Sequence, residues 1–127
     1  MYRYCVSLAF FVAAAAGAAP AEVNEMLDSS ADARTVLACH ESYVKKFSAI
    51  RPALSATDVA IGAKAHCADE ARIFEKNLRA GRMSNAAEAW LLPESIDRHI
   101  DKFNDYKFSY TVDLYLKSLI GEPQDDG

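Results

Sequence analysis

Positive charge is in short supply, with 14 Lys and Arg against 18 Asp and Glu in 127 residues. No stretch clusters Lys and Arg, so the chain lacks the electrostatic footprint that DNA, RNA or an anionic lipid surface requires. Glycine is scarce as well. None of the 5 glycines builds a phosphate-cradling loop, and none flanks a Ser or Cys in the sharp turn that exposes a nucleophile. A hydrolytic triad therefore has no starting point, and no catalytic constellation is expected. The three cysteines form neither a Cys-x-x-Cys pair nor a Cys-x-x-Cys-His motif, which argues against thioredoxin-like redox chemistry and covalent haem attachment. No apolar run reaches the ~20 residues of a membrane-spanning helix.

The beginning of the chain carries an export signature. Arg3, the apolar stretch from Leu8 to Ala16 and the small residues Ala19-Pro20-Ala21 read as a signal peptide over residues 1–21, cut after Ala21. The remaining 106 residues carry 13 basic and 18 acidic side chains, a net charge of −5. That length suits one domain with its own core, expected over residues 22–121 in the periplasm or outside the cell, without a stable membrane anchor. The acidic Pro- and Gly-containing tail, residues 122–127, is expected to be disordered. Cys5 leaves with the signal peptide, so Cys39 and Cys67 enter an oxidising compartment as a pair.

Hydrophobic spacing predicts an all-α fold, a small bundle of three to four helices. A first helix is expected from about Ala31 to Ile50, capped by Asp28, Ser29 or Ser30, with Val36, Cys39, His40, Tyr43, Phe47 and Ile50 on its buried face. Pro52 ends it, and Ser55 or Thr57 opens a second helix to about Ala80, burying Ala60, Ala63, Cys67, Ala71, Phe74 and Leu78. Gly81 supplies the left-handed stop. A short third helix follows Ser84 or Asn85 through Trp90, and Pro93 either separates it from the last segment or kinks one continuous helix. From Tyr106 to Leu116 apolar residues alternate with polar ones, which locally reads as a strand. With no second strand to pair with, helix is the expectation, and a strand would have to pair with another protomer.

Symmetry about the predicted turn gives the sharpest inference. Cys39 and Cys67 each lie 14 residues from Ala53, so an antiparallel hairpin brings them level. Packed helices place facing Cα atoms roughly 4 to 6 Å apart, within disulfide range. The bridge is expected to be structural and to contribute about 3 kcal/mol.

His40 and His66 flank these cysteines and are weak metal candidates, with Glu41, Asp69 and Glu70 nearby in sequence. Neighbouring helix positions point ~100° apart, however, so one ion cannot gather both Cys-His pairs. Ordinary half-buried histidines and no metal are expected. Met26, Met83 and His99 are conceivable haem ligands, but no cofactor is implied. Glu94, Asp97, Asp101 and Asp105 form a carboxylate row that Arg98 and Lys102 are expected to neutralise along the same helix.

The aromatic residues Trp90, Tyr106, Phe108, Tyr110 and Tyr115 outnumber a single core stripe and mark the expected binding surface. The sequence thus points to a helical interaction or ligand-binding module, with a protein partner or a second copy as the expected occupant. The alternative is a periplasmic metal- or haem-binding bundle using His and Met ligands.

Overall fold

The computed structural model describes residues 19–81 and 93–121. Residues 1–18 of the expected signal peptide, Met83, Trp90, the expected short third helix and the tail lie outside the described residues. Among the described residues the fold is all-helical: α1 (Ala21–Ser29), α2 (Ala31–Phe47), α3 (Ala56–His66), α4 (Ala68–Arg79) and α5 (Pro93–Leu119). The hairpin of α2 with α3 and α4 is antiparallel, and α5 packs against both of its arms.

Local chemistry sets most of the boundaries. Ser30 caps α2 by accepting from the Ala33 N–H at 3.1 Å, and Ser55 caps α3 by accepting from the Asp58 N–H at 3.1 Å. After α4, Gly81 takes φ = 69°, the left-handed conformation that costs a glycine least. The hairpin turn is closed from outside, where the Leu54 N–H donates to the hydroxyl of Tyr115 at 3.0 Å.

Three expectations need correction. First, α1 was not anticipated, although its Val23 and Met26 are fully buried in the core. Second, α2 ends at Phe47, so Ile50 is 41 % exposed in the turn instead of facing the core. Third, the long second helix is two. Cys67 (φ −98°, ψ 20°) interrupts it, while the bonds from Cys67 N to Ala63 O and from Ala71 N to Cys67 O carry the helical pattern across the kink. The interruption falls on the residue tethered to α2.

The Tyr106 to Leu116 stretch is helical throughout. The period of two gives way because the residues facing inward are Phe103, Lys107, Thr111 and Tyr115, a four-residue step. Two of those four are polar, which hides the helical stripe from a hydrophobicity reading.

The interior is divided. One apolar cluster gathers Val23, Met26, Val36, Leu37, Phe74, Leu78, Ile100 and Phe103; a smaller one gathers Val44, Val59 and Tyr115 at the hairpin-turn end. The buried residues in neither cluster include Ala60, Ala63 and Cys67 together with the polar His40, Lys107 and Thr111, which form a waist across the bundle where polar groups enter the interior.

The disulfide lies at this waist. Cys39 and Cys67 are joined with Cα atoms 5.9 Å apart, inside the expected range.

Candidate functional site

His40 is 3 % exposed, and its Nδ1 lies 2.9 Å from the Thr111 hydroxyl on α5. Thr111 has one proton to give, and it goes to the Lys107 carbonyl at 2.6 Å. The Thr111 oxygen therefore accepts from His40, which fixes the imidazole as the Nδ1–H tautomer. Burial, reinforced by the positive charge of Lys107, pushes the His40 pKa down to about 4. The ring is thus neutral near pH 7, with the Nε2 lone pair as its remaining polar group. No buried side-chain N or O among the described residues lacks a hydrogen-bond partner. Among the described residues Nε2 makes no bond, so it is not fully buried, and His40 lines a cleft.

Lys107 is the anomaly of the waist. It is 5 % exposed, yet no carboxylate or hydrogen-bond acceptor among the described residues pairs with its ammonium. Its Nζ instead lies 5.2 Å from the centroid of the Phe103 ring, one turn back along α5. Burial lowers the Lys107 pKa; the charge of Glu75 on α4 opposes that shift, and that of Lys64 on α3 adds to it. Burying an unpaired charge is costly; since no buried side-chain nitrogen among the described residues is left unbonded, the tip of this otherwise buried side chain still reaches water.

Both residues line one cleft between α3 and α5, of about 210 Å³. Ala60 and Lys64 form the α3 wall, while Asn104, Asp105 and Phe108 complete the α5 side. Lys64 is exposed at the rim, and Phe108 is 44 % exposed. The cleft therefore combines an apolar wall, a buried amine, a second amine, a neutral imidazole and one carboxylate.

The aromatic residues singled out from sequence do not share a surface. Phe108 is on the cleft. Tyr106 and Tyr110 stack with ring centroids 5.6 Å apart, half-buried, and the Tyr110 hydroxyl donates to Glu41 at 2.9 Å. Burial and that bond raise the Tyr110 pKa. Tyr115 is fully buried, so it is a core residue and not part of a binding face. Its position four residues beyond Thr111 aims it into the hairpin.

The metal and haem candidates are dispersed. His66 is exposed and packs its ring 5.4 Å from that of Tyr43, while His40 faces Thr111. Glu41 is taken by Tyr110, and Asp69 pairs with Arg72. Met26 is in the apolar core, and His99 is bonded at Nδ1 to the Ser95 carbonyl at 2.6 Å. No three His, Cys, Asp or Glu side chains converge among the described residues. Of the carboxylate row, Asp97 is engaged across helices by Arg79 at 2.9 Å, while Lys102, expected to pair along α5, is drawn to Glu22 of α1. That hydrogen bond lowers the Glu22 pKa.

Sequence reasoning missed Lys107 and Thr111. The signal was the Phe103, Lys107, Thr111, Tyr115 step, in which a lysine and a threonine occupy positions that helical periodicity assigns to the interior.

No family model matches the chain, and no curated protein or solved structure matches it. The fold and the cleft define a small disulfide-stapled helical bundle with a cleft of mixed apolar and polar lining at its waist.

Proposed function

We propose that this protein is an exported helical binding module whose cleft between α3 and α5 takes a small organic anion. Lys107 carries the reading: a nearly buried ammonium on the cleft lining, with no carboxylate among the described residues within ion-pair distance, is complementary to an anionic group that a ligand supplies. Lys64 adds charge at the mouth, Asn104 offers an amide, and Phe108 gives the organic part an apolar wall. The volume suits a ligand of a few heavy atoms. Export rests on the Arg3 and Leu8 to Ala16 signature with its Ala19-Pro20-Ala21 site, and the Cys39–Cys67 bridge is in keeping with an oxidising compartment.

Titration with short-chain carboxylates, followed by amide chemical shifts and calorimetry, tests this. Saturable shifts centred on Ala60, Asn104 and Phe108, lost in Lys107→Met, are expected. Shifts that are absent, or unchanged by that substitution, overturn the reading.

A second reading is a protein contact on the outer face of α3 and α5. Phe108 and Leu116, two turns apart on α5, are 44 % and 47 % exposed, and Ile61 on α3 is 56 % exposed. Lys64 and Asp105 border this face, and neither belongs to an ion pair among the described residues, so a two-fold arrangement could match one copy's lysine to the other's aspartate. A second copy of the chain is therefore the occupant to test. Light scattering that shows a dimer lost on Phe108→Asp would favour it, and a monomer at all concentrations would dismiss it.

A further inference from the structure

An amine becomes a nucleophile toward carbonyl carbon when it is desolvated or placed beside another cation, because either circumstance favours the neutral form that carries the lone pair. Lys107 meets the first condition, being 5 % exposed, and Lys64 lines the same cleft from α3. It differs from the other described lysines in being buried without a carboxylate partner. Lys45, Lys46, Lys64, Lys76 and Lys117 are exposed, and Lys102 is paired with Glu22. The opposing charge nearby is Glu75, which is not within ion-pair distance.

We infer that Lys107 captures carbonyl compounds, and that a small α-keto acid entering the cleft condenses with its Nζ to form an imine. The inference rests on the cleft being a ligand site and names the class of ligand. The carboxylate of such an acid suits Lys64 at the mouth, which leaves the adjacent carbonyl to the deeper amine. Phe108 flanks the short alkyl part.

The chemistry balances without a redox partner. The neutral Nζ adds to the carbonyl carbon, a C–N bond forms, and the carbonyl π pair becomes an alkoxide that takes up a proton. Nζ gives up a proton to solvent, producing a neutral carbinolamine. Protonation of its hydroxyl from solvent breaks the C–O bond and releases water, leaving a protonated imine. The net change is condensation of one ammonium with one carbonyl and loss of one water. His40 lines the same cleft, and its unbonded Nε2 is a group that can accept a hydrogen bond from the carbinolamine hydroxyl.

The test traps the imine by reduction. Oxidised full-length protein is incubated with pyruvate and sodium cyanoborohydride, digested, and mapped by mass spectrometry for carboxyethyl-lysine. Lys107 is expected to be labelled several-fold more than any exposed lysine. Lys64→Gln should lower that labelling, and urea should abolish the selectivity. Because wild-type mapping reads every lysine at once, the result does not depend on a variant folding. Labelling spread evenly over the exposed lysines, or absent from Lys107, overturns the inference. Propionate, which has the carboxylate but no carbonyl, separates the two claims. If propionate shifts the cleft resonances while pyruvate leaves Lys107 unlabelled, the imine is refuted and anion binding stands. If propionate shifts nothing and Lys107 is unlabelled, both fail.

Discussion

His40 and Thr111, 71 residues apart, join α2 to α5 through a buried 2.9 Å contact between Nδ1 and Oγ1. The contact ties the two apolar clusters together at the level of the disulfide and fixes which imidazole nitrogen is left unbonded. It also makes the waist sensitive to acid. In the unfolded chain the imidazole protonates near its ordinary pKa of 6.5, whereas the folded chain holds it neutral down to about 4. Between those values the unfolded state binds more protons, so stability falls as pH falls. The loss should be on the order of 3 kcal/mol over that window. Urea unfolding at a series of pH values would read it. His40→Asn, which keeps a donor near the Nδ1 position, should flatten the dependence; an equally steep profile in the variant would assign the acid sensitivity elsewhere.

Removing the Lys107 charge should stabilise the protein while harming its function. Lys107→Met keeps the long stem beside Phe103 and removes an unpaired ammonium, so a gain of about 1 kcal/mol is expected near pH 7. The urea midpoint should rise and carboxylate binding should vanish. A lower midpoint would mean that the fold already stabilises this charge, which would remove the case for a ligand there.

The Cys39–Cys67 bridge closes a loop with a sequence separation of 28. Replacing both cysteines by serine should lower unfolding stability by about 3 kcal/mol, chiefly by freeing the unfolded chain. Equal midpoints for the two proteins would show that the bridge adds nothing to stability.

Gly62 sits inside α3 for lack of room. A Cβ there would run into the Tyr43 hydroxyl and come within 2.9 Å of its Cζ. Tyr43 cannot swing away freely, since its ring stacks on Phe47 with centroids 4.4 Å apart. Gly62→Ala should therefore destabilise by about 1 kcal/mol, the steric cost exceeding the helix-propensity gain. In a Tyr43→Ala background the same change should become stabilising. If its sign is the same in both backgrounds, the close approach is not the reason for the glycine.

Much of the architecture was readable in advance. Ser30, Ser55 and Gly81 do the capping and stopping that their side chains or φ preferences suit them for. The position of Ala53 midway between Cys39 and Cys67 followed from counting residues in an antiparallel hairpin. The cleft was not readable, because the residues that build it look ordinary one at a time. Lys107 follows Tyr106 in a charged, aromatic helix where any lysine would be expected to reach solvent. Tyr115 and Phe108 resemble each other in sequence, yet one is fully buried and the other lines the cleft.

Sequence by itself determined the helical class, the short stretches that supply the two caps, the hairpin and its cysteine pair, since these depend on spacing and on interactions within a few residues; the structure selected Ser30 and Ser55 from those stretches. Only tertiary structure decided which faces of α5 are inside. That helix meets α1, α2, α3 and α4 on different sides, so no single periodic stripe describes it. The neutral His40, the buried Lys107 and the unbonded Nε2 arise where α2, α3 and α5 meet, and a pKa or an unpaired charge is a property of that meeting, not of a residue type.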